Sequence, residues 1–245
     1  MSWSAPQNIA DAYYKFIKEC PDNPELFANF KSNPAYHNVV GMSWDWQAVR
    51  FYYKIKEDPE VFARLDDFKV NDTLGNPPFV VNIEGVRASA NTLRHVQTLV
   101  DLKKNFGSLD GKVISELGVG YGATAFMVSK FYKPAAYYLI DLPDVQKFAQ
   151  DYLTKLGVES IITPPPEKVD LFISEFCISE FDDKGIYEFY DKYVVKADNV
   201  YIMSNLFDEE RKQRLITHMS KDYKLDVYPE THGTDYPSYV IVGKR

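Results

Sequence analysis

Apolar positions along this chain change their period near residue 109. Before that point they recur at three- and four-residue intervals, the spacing of one helix face. This pattern predicts helices over residues 8–18, 23–31, 43–56, 59–68 and 89–106. Asn8 and Asn23 stand where side-chain caps belong. In the longest of these helices Leu93, Val96, Leu99, Val100 and Phe106 trace a single face, and Gly107 follows in a helix-ending position. Between the helices, Gly75-Asn76-Pro77-Pro78 predicts an irregular connector.

From residue 112 short apolar runs alternate with amphipathic stretches. Strands are predicted at 113–117, 137–141, 160–163, 169–174, 199–204, 223–228 and 239–244, with helices at 123–131, 144–156, 183–195 and 209–220. Such alternation is the mark of a parallel sheet covered on both faces. No helix separates the last two strands, so they are expected to pair as an antiparallel hairpin. The expected fold is α/β, a doubly wound, Rossmann-like seven-stranded sheet ending in that hairpin. Residues 1–108 are read as an N-terminal helical cap bearing on the acceptor, and 109–245 as the cofactor-binding domain.

Ligands of doubly wound sheets bind beyond the carboxyl ends of the strands. Here the first strand runs into a turn with Gly118, Gly120 and Gly122, and the second ends on Asp141. Glycines let a ligand approach the backbone closely, and an acid at the second strand tip accepts hydrogen bonds from ribose hydroxyls. A nucleoside cofactor follows. A phosphate-binding loop needs a Gly-Lys-Ser/Thr ending that is missing here, which argues against nucleoside triphosphates. Gly118, Gly120 and Ala123 do satisfy the dinucleotide pattern, so an NAD(P)-dependent oxidoreductase stands as an alternative. Glu116, just ahead of the glycines, favours a ligand with a cation.

The segment Glu116-Leu117-Gly118-Val119-Gly120-Tyr121-Gly122 resembles the first motif of class I S-adenosylmethionine-dependent methyltransferases, and Asp141 falls at their ribose-binding acid. Three further stretches are similar to the sugar O-methyltransferase family. They are Asn71-Asp72-Thr73-Leu74-Gly75-Asn76-Pro77, Tyr138-Leu139-Ile140-Asp141-Leu142-Pro143-Asp144-Val145 and Ser174-Glu175-Phe176-Cys177-Ile178-Ser179-Glu180. Together they span most of residues 70–245. The resemblance implies S-adenosylmethionine as cofactor, S-adenosylhomocysteine as product and a sugar or glycan hydroxyl as acceptor. It also implies that Glu116, Gly118, Gly120, Tyr121 and Gly122 hold the methionine end and Asp141 the ribose, while Leu142 and Phe176 flank the adenine.

A sugar hydroxyl is a poor nucleophile at neutral pH, so a base is expected beside the transferable methyl. His232 lies in a loop of the right kind between the last two strands, and Glu175 and Glu180 flank the end of the fourth. These three are the candidate catalytic residues. Of the other histidines, His95 and His37 come from the helical part, and His218 sits in the last turn of a predicted helix. No metal site is expected, because the neighbouring acids Asp182-Asp183 and Glu209-Glu210 read as helix starts.

Composition narrows the partners. A net charge of −7 argues against nucleic-acid binding. No apolar run approaches the roughly 20 residues that span a bilayer, and the first residues do not read as a signal peptide. Cys20 and Cys177 lack metal-ligand spacing and read as free thiols in a reducing, cytoplasmic setting. The aromatic residues around Trp44–Tyr53 suit sugar faces or a homodimer contact. A module that binds cofactor without catalysis, its helical part docking a protein, is a third reading.

Overall fold

The computed structural model describes residues 7–40, 43–205, 208–230 and 238–245. Helices fill the N-terminal part. They are α1 (Gln7–Glu19), α2 (Pro24–Asn29), α3 (Pro34–Val40), α4 (Asp45–Lys56), α5 (Pro59–Ala63) and α6 (Leu65–Phe68). A small hairpin of β1 (Val80–Ile83) and β2 (Val86–Ser89) leads into the long α7 (Ala90–Phe106). Thereafter β3 (Val113–Leu117), α8 (Ala123–Phe131), β4 (Ala136–Ile140), α9 (Pro143–Lys155) and β5 (Val169–Glu175) alternate. They are followed by α10 (Asp183–Lys192), β6 (Ala197–Ser204), α11 (Glu209–Met219), β7 (Lys224–Pro229) and β8 (Tyr239–Lys244).

The central sheet has the order β4-β3-β5-β6-β8-β7. Its first four strands run parallel, and β8 inserts antiparallel between β6 and β7. The expected α/β architecture with its antiparallel end is therefore present. The strand expected at 160–163 is reduced to one parallel bridge between Ile161 and Tyr138, beside β4. Three prolines, Pro164 to Pro166, follow at once, and a residue without an N–H cannot extend a ladder. The ordered sheet thus has six strands, with the seventh marked only by that bridge.

Other boundaries also moved. The helix expected over 59–68 is broken at Arg64, whose guanidinium turns away to the carbonyls of Lys130 and Phe131. Neither α3 nor the β1–β2 hairpin was expected. The hairpin turns through Glu84 and Gly85, both with positive φ (50° and 83°), a geometry that Asn-Gly or Asp-Gly would have announced. Glu84 is held there by Tyr52 and Lys56 of α4, at 3.0 and 2.6 Å. Asn23 caps α2 as expected, accepting from the amides of Glu25 and Leu26, whereas Asn8 lies inside α1.

One buried core joins the N-terminal helices to the α3, α7, α8 and α9 side of the sheet, and a second lies under α10 and α11. At the centre of the first, Phe30 is fully buried and meets Tyr36, Tyr121, Phe148 and Tyr152 edge-on at 5.0–5.6 Å. Tyr36 comes from α3, Tyr121 from the glycine turn, and Phe148 and Tyr152 from α9. This ring cluster fixes the helical part against the site end of the sheet. Phe30→Ala should cost about 3–5 kcal/mol in denaturant unfolding, and a loss below about 1 kcal/mol would mean that the two parts are not packed as one core.

Candidate functional site

The site begins where β3 stops. Gly118 sits at φ +79°, and a Cβ there would lie 2.1 Å from Cys177 Cβ and 2.6 Å from its Sγ. The glycine turn and the loop after β5 therefore pack with no room for a side chain. Its amide is used too, donating to Ile140 O at 2.9 Å, which ties the turn to the end of β4. After Gly120 the chain enters α8 through Gly122, where a Cβ would meet Leu153 of α9 at 3.0 Å.

Two connected chambers open at these strand ends. One, of about 420 Å³, is bounded by Asp141, Leu142, Phe176 and Cys177, with Tyr13 and Tyr14 of α1 on the opposite wall. The other, of about 250 Å³, is bounded by Glu116, Asn91, Arg94, His95, His37 and Lys31, among others. Gly118, Gly120, Glu175, Phe176 and Glu180 line both, so they mark the passage between them. Volumes of this size suit small-molecule ligands.

The charges in the passage are unusual. Glu116 is 3% exposed, and its carboxyl accepts from the Tyr137 hydroxyl at 2.7 Å. Burial, and then the neighbouring Glu175 carboxylate, push its pKa well above the carboxylate range. Glu175 accepts from Thr98 of α7 at 3.0 Å and from the Thr124 hydroxyl of α8. Among the described residues no Lys or Arg nitrogen pairs with either acid, and the nearest basic atom is His95 Nδ1, 4.0 Å from Glu175.

His95 is oriented by the same group. Its Nδ1 lies 3.0 Å from Thr124 Oγ1. Thr124 spends its one proton on Glu175, so Nδ1 must carry the hydrogen and Nε2 the lone pair. Burial, Arg94 and Lys31 depress its pKa to about 3, which keeps the ring neutral. Arg94, one residue earlier, stacks over the Phe176 ring at 4.6 Å and makes no hydrogen bond or ion pair among the described residues. Phe176 itself sits at φ +61°, a conformation uncommon for a residue other than glycine.

Asp141 is half-buried at the mouth of the larger chamber. It accepts from the Leu142 amide at 2.8 Å and from the amides of Gly120 and Val119. Burial outweighs these and pushes its pKa up to about 6. Glu116, Gly118, Gly120, Asp141, Leu142, Glu175, Phe176 and Glu180 thus line the two chambers, whereas Gly122 packs against Leu153 and lines neither. Glu180 belongs to a short turn, Ile178–Glu180, ahead of α10. Tyr121 points into the aromatic core while bordering the smaller chamber. His232 lies outside the described residues. His218 packs against Tyr187 and Tyr190, away from the strand ends.

Sequence reasoning missed Arg94, Asn91, Lys31 and the two tyrosines of α1, while Asn205 stands at a strand end where ligands were expected. Arg94 and Asn91 were detectable in principle, being polar residues at the start of an amphipathic helix whose apolar face was assigned. Nothing local in α1 signals that it closes a cleft built 100 residues later. Among the described residues no cluster of three His, Cys, Asp or Glu could hold a metal ion, and no helix is long and apolar enough to cross a membrane.

No family model matches the chain. Among curated proteins it is 23% identical over 217 residues to protein arginine N-methyltransferase 2 of Xenopus laevis, covering 80% of this chain and 50% of that protein. The chain therefore spans about half the length of the curated relative it matches. Among solved structures, the Thermoplasma acidophilum protein 1320 aligns with a TM-score of 0.52 at 13% identity, over 74% of this chain and 97% of that one. The magnesium protoporphyrin IX methyltransferase of Synechocystis PCC 6803, solved with bound S-adenosylmethionine, aligns at 0.51 and 13% identity, over 62% and 79%. The fold is that of Rossmann-like methyltransferases.

Gly118→Ala should destabilise the protein by about 1–3 kcal/mol for the backbone strain alone, more with the clash. Adding Cys177→Gly should restore only the part due to the clash. Unchanged thermal unfolding of the single variant would contradict the close packing of turn and loop.

Proposed function

We propose that this cleft binds S-adenosylmethionine and that the chain is an O-methyltransferase acting on a hydroxyl of a sugar or glycan, releasing S-adenosylhomocysteine. The charge pattern of the passage carries this reading. Among the described residues the acids Glu116 and Glu175 have no Lys or Arg partner, and Arg94, stacked over Phe176, lines the same chamber. The methionine end of S-adenosylmethionine offers the complement, an ammonium for the acids and a carboxylate for Arg94. A dinucleotide would bring phosphates toward two carboxylates, which is electrostatically unfavourable.

In this reading Asp141 accepts from the ribose hydroxyls, and Leu142 and Phe176 take the adenine faces. Gly118, Gly120, Tyr121 and Gly122 form the turn under the methionine chain. Glu175 is better suited to holding the ammonium than to serving as a base, because both its oxygens are already fixed by threonine hydroxyls. Glu180 borders both chambers, where the methyl group and acceptor would meet. When bound, the cofactor supplies an electrophilic methyl group. What the protein adds is alignment of the acceptor behind it, worth about 7–11 kcal/mol in well-oriented systems. Asn91, His37 and Asn205 give the smaller chamber the polar lining that a polyhydroxylated acceptor needs. The three sequence blocks that resemble sugar O-methyltransferases support the same acceptor.

Two outcomes are expected of the cofactor assignment. Asp141→Ala should weaken S-adenosylhomocysteine binding by about 1–3 kcal/mol in calorimetry. An ionised carboxylate is the better acceptor and Asp141 titrates near 6, so wild-type affinity should fall as pH drops through 6, while Asp141→Asn should show no such step. Equal affinity of the two at pH 8 would remove Asp141 from the ribose. For the acceptor, methyl-labelled S-adenosylmethionine is offered with nucleotide sugars, oligosaccharides and an arginine-containing peptide. Label in the sugars is expected, and label in the peptide alone would replace the hydroxyl acceptor by a guanidinium.

A further inference from the structure

The far wall of the smaller chamber holds a group that the cofactor leaves unused. Lys31 follows the first 3-10 turn residue Phe30 and is 2% exposed. Its amine donates to the Asn71 carbonyl and, at 2.9 Å, to the Tyr152 hydroxyl. It lies over the rings of Tyr121, Tyr152 and Phe30, at 4.7, 5.0 and 5.5 Å. Among the described residues no carboxylate pairs with it. The nearest acid acting on it is Asp72, whose oxygens are already committed to the Ser89 amide, the Ser89 hydroxyl and the Thr92 hydroxyl, each at 2.6 Å.

We propose that Lys31, as a neutral amine, is the base that takes the proton from the acceptor hydroxyl. This rests on the methyl-transfer reading above. Two N–H groups satisfy Asn71 and Tyr152, and a neutral amine then keeps one lone pair without a protein partner. As an oxygen lone pair of the acceptor forms the new O–C bond to the methyl carbon, the Nζ lone pair takes the hydroxyl proton and the O–H electrons stay on oxygen. The C–S bond breaks with its electrons returning to sulfur, giving the ether and S-adenosylhomocysteine. Lys31 then returns its proton to solvent.

The electrostatics agree. Burial pulls the Lys31 pKa down to about 7, against a smaller opposing pull from Asp72, and a base that titrates near the working pH is the most effective kind. The remaining titratable neighbours do not supply a counter-charge. Tyr121 and Tyr152 are held neutral with raised pKa values, as is Tyr36 of α3, and His95 of α7 is neutral. His95 presents a lone pair to the same chamber, but with a pKa near 3 it is too weak a base to compete.

Trace acetylation with acetic anhydride, read for each lysine by mass spectrometry across pH with S-adenosylhomocysteine present, tests this on the intact protein. Lys31 should reach half its maximal reactivity near pH 7, while ordinary lysines do so near about 10.4. Reactivity of Lys31 that appears only with the ordinary lysines, or never, overturns the proposal. With an acceptor from the screen above, Lys31→Met should lose about 10²–10⁴-fold in kcat while S-adenosylhomocysteine binding is retained. A variant that keeps binding and stays within about threefold of wild-type kcat contradicts the base assignment. Absence of S-adenosylhomocysteine binding by the wild type contradicts the cofactor reading instead.

Discussion

Two carboxylates on adjacent parallel strands, buried together with no Lys or Arg partner among the described residues, set the terms for this molecule. Charged groups removed from water are costly unless paired, and like charges close together raise each other's pKa. Glu116 responds by staying protonated, and Glu175 by drawing hydroxyls from α7 and α8. Neither response is needed for a stable sheet, since an apolar pair at those strand ends would pack at lower cost. The arrangement is intelligible as one that a ligand completes: a bound cation would stabilise both acids and displace the Glu116 proton.

The rest of the structure gives that site its shape. The turn at Gly118 is pressed against Cys177, so the strand ends cannot drift apart. The N-terminal helices do more than cover apolar surface. α1 contributes Tyr13 and Tyr14 to one chamber, and the segment around α3 contributes His37 and Lys31 to the other. The aromatic cluster around Phe30 transmits this placement, because Tyr121 belongs at once to the glycine turn and to the packed core. The glycine turn and the wall of the smaller chamber thus share one packed element.

Much of this was legible in the sequence, and for local reasons. The strand–turn–helix at 113–131 is encoded locally and is present, and Asp141 directly follows the second strand of that unit. The antiparallel end followed from the missing crossover before 239–244. What escaped notice depends on distant contacts. The β1–β2 turn is held open by α4 rather than by its own residues, and the strand at 160–163 loses its ladder to the prolines behind it. Lys31 looks like any surface lysine until Tyr121 and Tyr152, some 90 and 120 positions further on, close over it. Buried charge is a property of the fold, and short windows of sequence do not carry it.

The most direct test compares two ligands on two proteins. S-adenosylhomocysteine carries the amino-acid end, and 5′-methylthioadenosine has the same nucleoside without it. If the acid pair holds the ammonium, Glu116→Gln should weaken S-adenosylhomocysteine by about 1.5–3 kcal/mol, the range for hydrogen bonds to charged groups, and leave methylthioadenosine unchanged. Equal losses for both ligands, or no loss for either, would contradict the claim that the buried acids are completed by a ligand cation.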